Sequence, residues 1–76
     1  MITTTEVKNI LERHGYKITK QTVFNWIRVN RIDGFEIIDN SIMYDIKDLL
    51  PFIQKRIQVS NEQLQQELKE IRTILN

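Results

Sequence analysis

No cysteine occurs anywhere in the 76 residues of the sequence, and for so short a chain that absence is the tightest constraint on folding. A domain near this size buries only about 60% of its unfolded surface, so its core is marginal and a staple is commonly needed: disulfides, a metal or a partner. Disulfides and thiolate zinc sites are excluded. His14 is the single histidine, which argues against a histidine metal cluster and against a Ser-His-Asp arrangement within one chain. Oligomerisation is the staple left to look for. The length also confines the chain to one domain with at most an appendage.

A formal net charge of +1 says little about partners until the charges are placed. From Lys8 to Arg31 there are six basic residues, Lys8, Arg13, Lys17, Lys20, Arg28 and Arg31, against one acid, Glu12, a local charge of +5. From Ile32 to Leu50 the balance reverses: Asp33, Glu36, Asp39, Asp45 and Asp48 face only Lys47, a local charge of −4. Such a dipolar distribution can turn one face toward a polyanion, although a solvated helical surface would carry the same charges. At 41% hydrophobic and 28% charged residues the composition is that of a helix-rich globular chain, not a disordered one. There is no apolar run of about 18 residues, and residues 1–6 lack the basic and apolar stretches of a signal peptide. The expectation is a cytoplasmic protein with no membrane association.

Helix starts and stops are legible along the chain. Thr3 with Glu6 forms a capping box, flanked by Ile2 and Val7 as a hydrophobic staple, so a helix should begin at Thr4. Val7, Ile10 and Leu11 recur at helical spacing and Gly15 supplies a left-handed stop. A second start falls at Thr19, and Val23, Trp26 and Ile27 define its inward stripe. Asn30 is placed as a left-handed cap. Then the period changes: Phe35–Ile38 and Ile42–Tyr44 read as strands of a hairpin around a three-residue turn, Asp39-Asn40-Ser41. A helix continuous from an Asp45 cap would put Pro51 in its interior at a cost of roughly 3 kcal/mol. The sequence therefore predicts a cap at Asp48, with Pro51 in the first turn of a long helix from about Leu49.

The stretches Ile2-Thr3-Thr4-Thr5-Glu6-Val7, Ile18 to Arg28 and Asn30-Arg31-Ile32 with Gly34 resemble the winged helix-turn-helix of the MerR and phage excisionase superfamily. The resemblance covers about residues 2–53, and its best motif is Thr19-Lys20-Gln21-Thr22-Val23-x-x-Trp26-Ile27-Arg28. It implies that the second helix is a recognition helix and the hairpin a wing. The expected fold is α+β, mostly helical: a winged helix-turn-helix DNA-binding domain over residues 1–50, and a C-terminal dimerisation helix, a short coiled coil, over 51–76.

The residues themselves suit that role. A recognition helix enters the major groove and must offer groups matching base edges. Gln21 and Asn25 can pair with adenine, Arg28 or Lys20 can reach guanine or phosphate, and Phe24 can lie against thymine methyl groups, unless it packs against the wing or the next helix instead. Gln21, Phe24, Asn25 and Arg28 fall on one helical face. Lys17 and Arg31, with Arg13 and Lys8, are candidate phosphate contacts. Thr19 and Thr22 read first as cap and packing residues, with helix-start amides that also suit a phosphate. The wing departs from the family pattern, because relatives often carry Arg or Lys at the tip and here it is Asp39-Asn40-Ser41. Either Asn40 and Ser41 make a neutral phosphate contact through a tilted wing, or the wing does not touch DNA. Its acidic flank can alternatively meet the basic face of a neighbouring protomer.

In the tail, Leu50, Ile57, Leu64 and Ile71 as d positions and Gln54, Asn61, Leu68 and Leu75 as a positions alternate by 4 and 3. Ile57, Asn61, Leu64, Leu68, Ile71 and Leu75 are thus the candidate dimerisation residues. Asn61 at an a position and Glu67 with Arg72 as an interchain pair favour a parallel dimer, whereas MerR-like regulators use antiparallel helices; the stripe can also fold back onto the winged domain. No metal, cofactor or small-molecule ligand is expected, and catalysis is the least supported class: Ser41 and Ser60 lack a nearby histidine, and Asp45 with Asp48 reads as capping. His14 reads as a partner of the helix dipole or a solvent-facing residue. The expected function is sequence-specific double-stranded DNA binding by a homodimer, as a small transcriptional regulator, a repressor, of a phage, plasmid or other mobile element. The alternatives are an architectural DNA-binding protein for excision or plasmid partition, and a coiled-coil adaptor that binds no DNA.

Overall fold

The Thr3 hydroxyl accepts from the Glu6 amide at 3.1 Å and the Glu6 carboxylate accepts from the Thr3 amide at 3.0 Å, so the first helix begins where its capping box puts it. In a computed structural model of the chain, which describes residues 1–75 with side chains through Ile74, the order is α1 (Thr4–Arg13), α2 (Lys20–Val29), β1 (Phe35–Ile38), β2 (Ser41–Tyr44), α3 (Ile46–Gln54) and α4 (Asn61–Leu75). The class is α+β, mostly helical, with one two-stranded antiparallel sheet. Among the described residues no helix is long and apolar enough to cross a membrane.

Both α1 and α2 end in a left-handed residue that lets two amides turn back onto orphan carbonyls. After α1 this is Gly15 at φ 81°, with Tyr16 N–H on the Leu11 carbonyl at 2.9 Å. After α2 the left-handed residue is Arg31 at φ 52°, with Ile32 N–H on the Ile27 carbonyl at 3.0 Å. The expected left-handed Asn30 is corrected: its φ is −93°, and its side-chain amide instead donates to the Trp26 carbonyl at 2.9 Å. The hairpin turn is also shorter than expected. Ile38 pairs with Ser41, and Asp39 and Asn40 both have positive φ, 50° and 65°, which matches the twist of a two-residue type I′ turn. Ser41 therefore belongs to β2.

The start of α3 differs from the sequence expectation. Asp45, not Asp48, is the cap, accepting from the Lys47 amide at 3.0 Å, and Pro51 lies inside the helix. Starting at Ile46 puts Ile46, Leu49 and Ile53 on one buried face. Each such side chain contributes about 1.5–3 kcal/mol when buried, enough to outweigh the proline. The expected long helix is also interrupted. Residues 55–60 are non-helical and tuck Ile57 and Val59 into the core, and Ser60 caps α4 by accepting from the Gln63 amide at 3.1 Å.

Helix α4 folds back antiparallel along α1. Leu64, Leu68 and Ile71, with Ile57, are buried within a single apolar cluster that also holds Ile2, Val7, Ile10, Leu11, Val23, Trp26, Tyr44, Leu49 and Ile53. Of the two arrangements expected for this stripe, the structure shows the fold-back in place of the interchain seam: Ile57, Leu64, Leu68 and Ile71 are buried in the core of their own chain, where burial against the α1 stripe is available without a partner. Asn61 is exposed, and the side chain of Leu75 lies outside the described residues. Ion pairs close both ends. Arg72 Nε donates to Glu6 at 2.7 Å and its NH2 to the Met1 carbonyl at 2.8 Å. Arg13 donates to Glu70 at 2.9 Å, and His14 Nε2 lies 2.9 Å from Glu67. His14, exposed as expected, also reaches α4, and Glu67 pairs within the chain.

Burial pushes the Glu6 carboxyl upward, but the hydrogen bonds from Arg72 and the Thr3 amide and the Arg72 charge outweigh it and hold the group below its ordinary 4.5. Hydrogen bonding from Arg13 lowers Glu70 in the same direction. Carboxyls lowered on folding contribute stability that is complete above about pH 4.5 and is lost as pH falls through their folded values. Thermal melts between about pH 7 and pH 3 should show Tm dropping below pH 4.5, with a shallower drop and a lower starting Tm in Glu6→Gln; equal slopes in the two would contradict the seam. Pro51→Ala restores an amide to the interior of α3 and should stabilise the chain by about 1–3 kcal/mol in denaturant titrations, with no change expected had Pro51 stood in the first turn.

Candidate nucleic-acid interface

The capping and packing that fix α2 also sort its side chains. Thr19 Oγ1 accepts from the Thr22 amide at 3.3 Å and lies 3.2 Å from the Thr22 hydroxyl, so both threonines serve the helix start. Val23 and Trp26 are buried and Ile27 is packed against the core. Phe52 of α3 stacks on Trp26, with ring centroids 5.7 Å apart and an interplanar angle of 11°, and locks the inner face of α2 onto α3.

The outer face is left with Lys20, Gln21, Phe24, Asn25 and Arg28. Asn25 Oδ1 accepts from Gln21 Nε2 at 3.3 Å and from Arg28 NH2 at 3.2 Å, so three of the expected base-reading side chains form one hydrogen-bonded group. The Asn25 amide nitrogen, the Gln21 carbonyl and the remaining Arg28 donors have no side-chain partner among the described residues, a mixed set of donors and acceptors. Phe24 is 43% exposed. It lines an open cleft with Thr3, Thr4, Asn40, Ser41 and Ile42, between the start of α1 and the hairpin turn. Phe24 is thus partly in solvent and shares the cleft with the hairpin turn. Asn40 and Ser41 share that cleft, on the same side of the molecule as Phe24.

Lys17 stands before α2, and Arg31 after it, both exposed. The ten residues of α2 span about 15 Å, close to the ~12 Å width of a major groove, so cations at its two ends suit phosphates on opposite groove edges. Among the described residues, Lys17, Lys20, Arg28 and Arg31 make no salt bridge, whereas Lys8 pairs with Glu12 at 2.7 Å and Arg13 with Glu70 at 2.9 Å. Lys8 and Arg13, expected at phosphates, are thereby engaged in α1 and its seam with α4.

Sequence reading missed two further cations. The Arg56 guanidinium lies 4.3 Å from the Trp26 ring centroid and donates to the Phe52 carbonyl at 2.9 Å, and Lys55 Nζ lies 5.9 Å from the Phe52 ring. The Trp26–Phe52 stack, a contact across 26 residues that no local pattern announces, brings Arg56 against α2 and leaves Lys55 over the Phe52 ring. Their charge adds to the field around α2 without requiring direct contact.

No protein-family model, no curated protein and no solved structure matches the chain.

Arg31 occupies the left-handed region at φ 52°, where a residue with a Cβ is strained by of order 1 kcal/mol and glycine is relaxed. Arg31→Gly should raise stability by about 0.5–1 kcal/mol in urea titrations while weakening binding to duplex DNA; a variant that is both more stable and equally tight would remove Arg31 from the interface.

Proposed function

We propose that this chain binds double-stranded DNA sequence-specifically as a winged helix-turn-helix protein, with α2 in the major groove, and acts in the cytoplasm as a small transcriptional regulator, a repressor. The observation that carries the reading is the outer face of α2: Gln21, Asn25 and Arg28 joined by hydrogen bonds, Phe24 half-exposed beside them, and, among the described residues, no acid neutralising Lys17, Lys20, Arg28 or Arg31. On docking, an adenine N6–H can take the place of one donor on Asn25 Oδ1 while the Asn25 amide donates to N7. Arg28, freed in the same exchange, can reach guanine. Phe24 supplies apolar contact for a thymine methyl group.

Phosphate contacts then position the helix without reading sequence. Lys17 and Arg31 serve the two groove edges, the helix-start amides beside Thr19 and Thr22 suit a third phosphate, and Asn40 with Ser41 supplies neutral donors from the wing. The acidic Asp39 is repelled by phosphate, so the wing tilts that residue away or stands off the duplex. Unlike a charge patch alone, this arrangement predicts that affinity and sequence preference fail separately. A duplex selected from random sequence and followed by fluorescence anisotropy provides the test. Asn25→Ala with Arg28→Ala should cost about 1–3 kcal/mol per contact on the selected duplex and erase its advantage over random DNA. Lys17→Ala should weaken both duplexes alike and lower the salt slope by about one. Absence of duplex binding at low salt, or a sequence preference that survives the α2 double substitution, contradicts the proposal.

A further inference from the structure

The hairpin is anchored to the body at one end and half-exposed over the rest. Tyr44 is buried and exchanges two backbone hydrogen bonds with Ile2, at 2.8 and 2.9 Å. Beyond it, Phe35, Ile37 and Ile42 are 49%, 68% and 45% exposed. Phe35 pairs with Tyr44 and Ile37 with Ile42, so the four side chains share one face of the sheet. A two-stranded sheet is marginal in water without further strands or a helix packed against it. Contiguous exposed apolar residues with a polar rim are, in turn, the mark of an interaction site.

Here the rim is acidic. At the base of β1, Phe35 shares a shallow cleft with Glu36, Asp45 and Asp48, and an Asp48 carboxylate oxygen stands beside Gly34, 3.4 Å from where a Cβ would be. Asp33 leads into the strand, and Asp39 occupies the turn at its other end. All five acids are exposed and, among the described residues, none makes a salt bridge. Lys47 is the only basic residue between Ile32 and Leu50. The face thus has an apolar centre with negative charge at both ends, and that sign sorts its occupants. DNA phosphates and anionic lipid headgroups are repelled, and a second hairpin would set its own carboxylates against these. A protein segment whose apolar residues are flanked by Lys or Arg complements both features.

We propose that this hairpin face docks a cationic amphipathic helix of a partner protein. Four-residue strands run about 13 Å, a length that about nine residues of helix match. Apolar residues at i, i+3, i+4 and i+7 of such a segment form one stripe. That stripe lies on Phe35, Ile37 and Ile42, while Lys or Arg on its flanks reach Asp39 at one end and Glu36, Asp45 and Asp48 at the other. The carboxylates steer the encounter and reject anionic segments, and the apolar contacts supply the affinity. Gln21, Asn25 and Arg28 take no part in it, so partner binding stands or falls separately from DNA binding by α2.

Two synthetic helical peptides of about 16 residues provide the test, one with a Leu stripe flanked by Lys and one with the same stripe flanked by Glu. Each is titrated without DNA into the isotope-labelled chain at low salt. The Lys peptide should bind in the micromolar range and shift the amide resonances of Phe35, Ile37 and Ile42, and the Glu peptide should not. Ile37→Thr with Ile42→Thr keeps β-branched side chains in the strands and should weaken the Lys peptide at least about tenfold with an unchanged circular dichroism spectrum. Glu36→Gln with Asp39→Asn should weaken it about threefold or more and flatten its salt dependence. A Lys peptide that does not bind, equal binding of the Glu peptide, shifts centred on α4, or an affinity indifferent to either double substitution overturns the proposal. So does sedimentation velocity in which the chain alone self-associates and the Ile37→Thr, Ile42→Thr chain does not, because a second copy then holds the face.

Discussion

The antiparallel packing of α4 on α1 is the contact on which the rest of the molecule depends. Val7, Ile10 and Leu11 line the inner face of α1 and are fully buried, which a chain with two further short helices and a hairpin could not achieve without a lid. Isolated helices of about 15 residues are marginal in water, so α4 in turn owes its order to the burial of Leu64, Leu68 and Ile71. Glu6 ties the two ends of the chain together: one carboxylate accepts from the Thr3 amide that opens α1 and from the Arg72 side chain near the end of α4. With total stabilities of only 5–15 kcal/mol typical of small domains, losing this lid would cost a large part of the whole.

Fixing α1 fixes what α2 can present. The α2 inner face is committed to Val23, Trp26 and the Phe52 stack, and the ends of the helix are set by Thr19 and by the left-handed Arg31. Among the described residues the outer face borders only the open cleft between Phe24 and the hairpin turn. Its polar side chains therefore bond to one another through Asn25. They form a group whose members partly satisfy one another in the free chain. The hairpin carries the opposite character, apolar and acidic, and suits protein better than phosphate.

Much of this was legible in the sequence wherever a local interaction decides the outcome. The Thr3 and Thr19 caps, the Gly15 stop and the inward residues of α1 and α2 depend on neighbours three or four residues away, and each stands as read. The misreadings share one cause, which is that distant burial overrules a local preference. Pro51 is tolerated inside α3 because Ile46 gains a place in the core, and the left-handed residue after α2 is Arg31 because Ile32 is drawn against the core. The heptad spacing of Leu64, Leu68 and Ile71 is real, but spacing does not say whether the covering surface belongs to another chain or to α1. Ser60-Asn61-Glu62-Gln63 carried the missed signal, a capping-box pattern that breaks the expected long helix. At the candidate interface, the outer residues of α2 followed from periodicity alone. Arg56 did not, because only the Trp26–Phe52 stack brings it beside that helix.

The most direct measurement is the change in backbone amide resonances when the labelled chain is titrated with a short DNA duplex at low salt. If α2 is the reading helix, the shifts concentrate on Gln21, Phe24, Asn25 and Arg28, extend to Lys17 and Arg31, and leave the exposed face of α4 unmoved. Shifts confined to α4 or to the outer edge of β1, or none at all, would contradict it.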